Sequence, residues 1–131
     1  MEKKCVNVGP YIFKVYPYGC LYILEIFSWD NTMKLFEIPF NAKFLLDLKE
    51  VCNDLLHWGI SGAASFPMSS SFGESYTLYL GDNSFGPSDD DFFQVELVIA
   101  EDRTNAEVIK AMIGIDQVFN IGLLIESLQG A

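Results

Sequence analysis

The chain predicts an α+β domain with the element order βββ-α-βββ-α, on three observations. Short runs rich in branched and aromatic residues, separated by Gly, Asn and Asp turns, mark strands. These runs fall into two groups of three whose connections are too short for parallel crossovers, so the pairing is antiparallel. A stretch with apolar residues at helical spacing follows each group. Residues 1–131 are expected to form one domain, a curved antiparallel sheet with both helices packed on one face. A chain of this length buries roughly two-thirds of the surface its unfolded form exposes.

The first strand is expected over Tyr11 to Tyr16, with Tyr18-Gly19 as the turn that follows. In the second, Leu21 to Phe27, residues Leu21, Ile23, Glu25 and Phe27 alternate with Tyr22, Leu24 and Ile26. Both faces are apolar apart from Glu25, which predicts a central place in the sheet. Asp30-Asn31 supplies a turn into a third strand, Met33 to Ile38, and Pro39 is expected to end its pairing for want of an N–H.

Asn41 is a suitable N-cap for a helix reaching Leu56 or His57. Phe44, Leu45, Leu48, Val51, Cys52, Leu55 and Leu56 form its apolar stripe, with Lys43, Asp47, Glu50 and Asp54 opposite. Gly59 is expected to close it in the left-handed conformation. Ser61 to Gly73 reads as a loop of small and hydroxyl residues. Strands are then expected over Glu74 to Leu80, Phe92 to Ala100 and Glu107 to Ile115. Asp116 is expected to cap a final helix whose apolar positions are Val118, Ile121, Leu124, Ile125 and Leu128.

Eighteen Asp and Glu face eight Lys and Arg and one His, a formal charge of −10. That field disfavours nucleic acid and anionic membrane, and it speeds the approach of basic partners. The balance serves solubility, an acidic binding face, or both. The longest apolar runs fall far short of a membrane span of about twenty residues, so a cytoplasmic protein is expected.

The equipment for chemistry is sparse. Cys5, Cys20 and Cys52 form no metal-binding spacing, and no cofactor or metal is expected. His57 sits at a helix end, where it can touch the last carbonyls. Ser69, Ser70 and Ser71 lack the Gly-x-Ser-x-Gly elbow, so they read as loop residues rather than nucleophiles. The glycines at 59, 62, 73, 81 and 86 fit no phosphate-cradling fingerprint. No acid–base set emerges, and an enzyme is the least favoured class.

The sharpest polar cluster is the long turn holding Asp82, Asn83, Asp89, Asp90 and Asp91, with Phe85 at its tip. Its spacing does not match a calcium-binding EF-hand loop. Two readings stay open, a solvated hairpin turn and an acidic contact loop anchored by Phe85. The polar turn from Glu101 and Asp102 to Asn105 is expected to join it at one end of the sheet.

One family pattern is present. The strand Glu107-Val108-Ile109-Lys110-Ala111-Met112-Ile113-Gly114-Ile115 runs directly into Asp116-Gln117 and an amphipathic helix. Earlier, a three-strand meander leads into Phe-Leu-Leu-Asp-Leu-Lys-Glu-Val, residues 44–51. In this order of elements the chain resembles the WapI-like immunity proteins of bacterial polymorphic toxin systems. The resemblance implies a small α+β protein that covers a secreted toxin, often a basic nuclease, and it transfers no catalytic residue.

Asp82, Phe85, Asp89, Asp90, Asp91, Glu101 and Asp102 are the candidate partner-binding residues on this reading. The expected partner is a basic protein, the cognate toxin, and the chain could be a monomer or a homodimer. The alternative is an acidic secretion-type chaperone holding an effector segment, although such chaperones open with a helix and this chain opens with strand-like residues. A small-molecule pocket under the Ser61 to Gly73 loop is the third possibility.

Overall fold

A computed structural model of the chain describes residues 3–66, 75–82 and 94–129. The class is α+β, with eight strands and two helices among those residues: four strands, a helix, four strands, a helix. Two four-stranded antiparallel sheets replace the single sheet expected. Sheet A runs in the order β1 (Lys4–Val8), β2 (Tyr11–Tyr18), β3 (Leu21–Ser28) and β4 (Lys34–Phe40). Sheet B holds β5 (Gly62–Ser65), β6 (Tyr76–Asp82), β7 (Gln94–Glu101) and β8 (Glu107–Gly114). Between them in sequence lies α1 (Ala42–Trp58), and α2 (Ile115–Gln129) closes the chain.

The sheets share one core. Phe13, Val15, Leu24, Ile26, Ile38 and Phe40 point inward from sheet A, and Leu78, Leu80, Val95, Leu97, Ile99 and Ile109 from sheet B. The buried stripes of α1 and α2 fill the space between. β4 and β5 flank α1, a helix of 17 residues, and lie in different sheets without pairing. Phe36 instead meets Phe66 and Tyr76 edge to face across the junction, with ring centroids at 6.2 and 5.2 Å.

The expectations for α1 hold. The Asn41 Oδ1 accepts the Phe44 N–H at 3.0 Å, and Gly59 closes the helix at φ 66°. Phe44, Leu45, Leu48, Val51, Cys52 and Leu55 are buried. Four expectations need correction. β1 lies ahead of the first expected strand, and β5 lies within the Ser61 to Gly73 stretch expected to be loop. Pro39 does not end β4: it pairs with Ile23, which an edge strand permits when the proline nitrogen faces outward. Met33 belongs to the β3–β4 turn rather than to β4. Finally, α2 starts at Ile115, so Asp116 lies in its first turn instead of capping it. The Gln117 Oε1 does the capping, accepting the Gly114 N–H at 3.4 Å.

Candidate functional site

Consecutive hairpin turns leave opposite ends of the strand they share, and β7 is that strand for the two acidic turns. Its first residues pair with the end of β6, Val95 opposite Asp82, and its last residue, Glu101, pairs with Tyr76. Six residues at about 3.4 Å each place roughly 20 Å between Asp82 and Asp102. The expectation that both turns share one end of the sheet is therefore corrected. Phe85, Asp89, Asp90 and Asp91 lie outside the described residues, as does most of the Ser61 to Gly73 loop beyond Phe66.

At the other end, Glu101 and Asp102 build their own turn. The Glu101 carboxylate accepts from the Thr104 hydroxyl at 2.5 Å, the Thr104 N–H at 3.0 Å and the Arg103 N–H at 3.3 Å. The hydroxyl bond leads the causes that hold its pKa below the ordinary value. Asp102 accepts from the hydroxyls of Ser75 at 2.6 Å and Thr77 at 2.7 Å, tying the turn to β6. Asn105 turns the backbone at φ 58°, a conformation asparagine tolerates better than most residues. The geometry of both carboxylates is set by these local hydrogen bonds, so this end presents them in fixed positions.

A larger asymmetry escaped the residue-by-residue reading. Residues 1–40 carry four acids and four lysines, whereas residues 41–131 carry fourteen acids against four bases. The whole formal charge of −10 therefore belongs to α1, sheet B, α2 and their connections. Exposed acids there include Glu50 on α1, Asp102 and Glu107 around β7–β8, and Asp116 and Glu126 on α2. Counting charge in windows along the chain would have shown this without coordinates.

In sheet A the charges pair with one another. Glu25, only 5% exposed, receives Lys3 at 3.0 Å and Lys34 at 3.4 Å. Lys34 also reaches Glu37 at 3.0 Å. Lys14 lies over the Phe27 ring at 4.2 Å and Lys3 over Tyr16 at 4.8 Å. Burial pushes the Glu25 pKa up, but the hydrogen bonds and charges of Lys3 and Lys34 outweigh it and leave it below the usual value.

Other chemistry is weakly represented. His57 is exposed in the last turn of α1, and burial raises the Cys52 thiol to a pKa of about 12. Among the described residues no cluster of His, Cys, Asp and Glu is arranged to hold a metal ion. None of the described helices is long and apolar enough to cross a membrane. An apolar void of about 30 Å³ lies between the layers, lined by residues such as Phe13, Leu24, Phe44, Leu48, Ile121 and Ile125. That is room for about one water and no metabolite.

No protein-family model matches the chain, and no curated protein matches it either.

Proposed function

We propose that this protein is an immunity-type inhibitor that captures a basic secreted toxin, such as a nuclease, through its acidic half. The observation that carries the reading is the segregation of charge: fourteen acids against four bases in residues 41–131, beside a neutral sheet A. A cationic partner approaching such a molecule is steered toward one side of it, which raises the association rate and orients the encounter. Carboxylates on that side can occupy the positions where a nuclease expects phosphates. Glu101 and Asp102, held by Thr104, Ser75 and Thr77, need no reordering on contact, which limits the entropy lost on binding. The roughly 20 Å along the sheet between Asp82 and Asp102 makes them separate contact points on a partner of protein size.

The reading expects a toxin domain encoded in a neighbouring reading frame, and the test is co-expression with it. Rescue of growth and a one-to-one complex are the expected results. Changing Asp89, Asp90 and Asp91 together to Asn should slow association and flatten its salt dependence. An on-rate that stays the same at low ionic strength removes that loop from the interface, and absence of any complex removes the proposal.

A further inference from the structure

We infer that the outer face of sheet A is a self-association surface whose occupant is a second copy of this chain. The inference is independent of the toxin-binding reading and concerns the other side of the charge distribution.

β3 is apolar on both faces apart from Glu25, which lies on the outer face opposite Lys14 and Glu37. Leu24 and Ile26 are buried against the helices, and Leu21, Ile23 and Phe27 point the other way. Ile12, Tyr16 and Tyr18 from β2 join them, with Leu35 and Pro39 from β4. An antiparallel sheet with one solvated face normally alternates apolar with polar residues, and β3 departs from that pattern. Both helices pack on the inner side, and the outer face keeps Tyr18 69%, Leu21 37% and Leu35 42% exposed. Trp29, 75% exposed, and Met33, 61% exposed, stand in the turn at one end of it.

That turn is rigid. The Asp30 Oδ1 accepts from the hydroxyls of Ser28 at 2.6 Å and Thr32 at 2.7 Å and from the Thr32 N–H at 3.1 Å. An aromatic side chain presented on a fixed turn loses little freedom on docking, which favours it as an anchor.

Charge selects the occupant. The ions of this face are matched internally through Glu25, Lys3, Lys34 and Glu37, so a strongly basic partner gains little here. The formal charge of −10 belongs to residues 41–131, and the residues of sheet A carry none of it, so two copies meeting through its outer face keep their acidic segments apart. A two-fold arrangement places this neutral patch on itself. Four strands of up to eight residues cover roughly 15 by 27 Å in projection. That is roughly half of the ~800 Å² per partner in a standard interface, so the dimer is expected to be a weak, reversible one.

Sedimentation velocity of the intact chain across about 1–200 μM tests the inference. A reversible dimer is expected, and its dissociation constant should fall as NaCl rises from about 20 to about 500 mM, because salt screens the repulsion between the acidic halves. A basic partner on the acidic half would respond to salt in the opposite sense. Leu21→Lys and Leu35→Lys, both at exposed positions, should raise the dissociation constant at least about tenfold. Phe119→Lys on the outward side of α2 should leave it unchanged or lower it slightly by reducing the acidic charge. In a Trp58→Phe background, Trp29 emission should shift to the blue with concentration, a readout that leaves sheet A unaltered. A monomer at every concentration, or a dimer loosened by Phe119→Lys and not by the two leucine variants, overturns the inference.

Discussion

The Gln117 side-chain oxygen accepts the backbone N–H of Gly9 at 3.0 Å, joining residues 108 apart in the chain. The same oxygen takes the Gly114 N–H, so one amide closes the first turn of α2 and holds the β1–β2 turn against it. Gln117→Ala should cost about 1–3 kcal/mol by leaving two part-buried donors without their acceptor. Gln117→Glu keeps an acceptor at a helix N-terminus and should recover most of the loss. Urea unfolding measures both, and equal losses in the two variants would show that the bond contributes nothing.

Gly9 itself is constrained twice. It sits at φ 59°, and a Cβ there would lie 2.8 Å from the Ile113 Cγ2. Gly9→Ala should destabilise by about 2–5 kcal/mol, combining backbone strain with overpacking. Gly19 has a similar φ of 63° with open space around it, so Gly19→Ala should cost only about 1–2 kcal/mol. If chemical denaturation gives the two variants the same loss, the β1–β2 turn is not packed on β8 as described.

The cap of α1 gives a third prediction. Removing the Asn41 oxygen that accepts the Phe44 N–H in Asn41→Ala should lower stability by about 1 kcal/mol, while Asn41→Ser should be nearly neutral. Thermal melts followed by far-ultraviolet circular dichroism separate the two outcomes.

Glu25 sets an acid-side pH dependence. Its folded pKa lies below the ordinary value because Lys3 and Lys34 outweigh the effect of burial. Such a carboxylate stabilises the fold above its unfolded pKa and loses that contribution as pH falls through the folded one. Glu25→Gln should therefore destabilise at neutral pH, and its melting temperature should fall less than the parent's on acidification. Parallel curves for parent and variant between about pH 7 and pH 3 would contradict this account of the network.

The three cysteines should divide by burial. Cys5 and Cys20 are exposed and Cys52 is buried, its thiol pushed up to about 12 by desolvation. A disulfide reagent near pH 8 should label Cys5 and Cys20 promptly and Cys52 only at the rate of unfolding. Three fast thiols would place Cys52 outside the core.

The helices were legible because their signals are local. Asn41, Gly59 and the stripe between them are readable in any window of the chain, as are Val118, Ile121, Ile125 and Leu128, all buried in α2. β1 and β5 were not legible, for a physical reason. Lys4-Cys5-Val6-Asn7-Val8 alternates weakly, and Gly62-Ala63-Ala64-Ser65 contains no branched side chain. Their strand character comes from partners: β1 pairs with β2 and packs against α2, while β5 pairs with β6 as Gly62 approaches Val51. Pro39 was misread because only topology reveals that β4 is an edge.

By itself the sequence determined the class, both helices, six of the strands and the excess of acid, since each depends on side chains near in sequence. Tertiary structure alone decided that the strands form two sheets, that Asp82 at the end of β6 and Glu101 at the end of β7 lie at opposite ends of that strand pair, and that Glu25 is covered by Lys3 and Lys34. Those relations depend on which segments meet after the chain has crossed itself, and packing of the whole settles that where local propensity cannot.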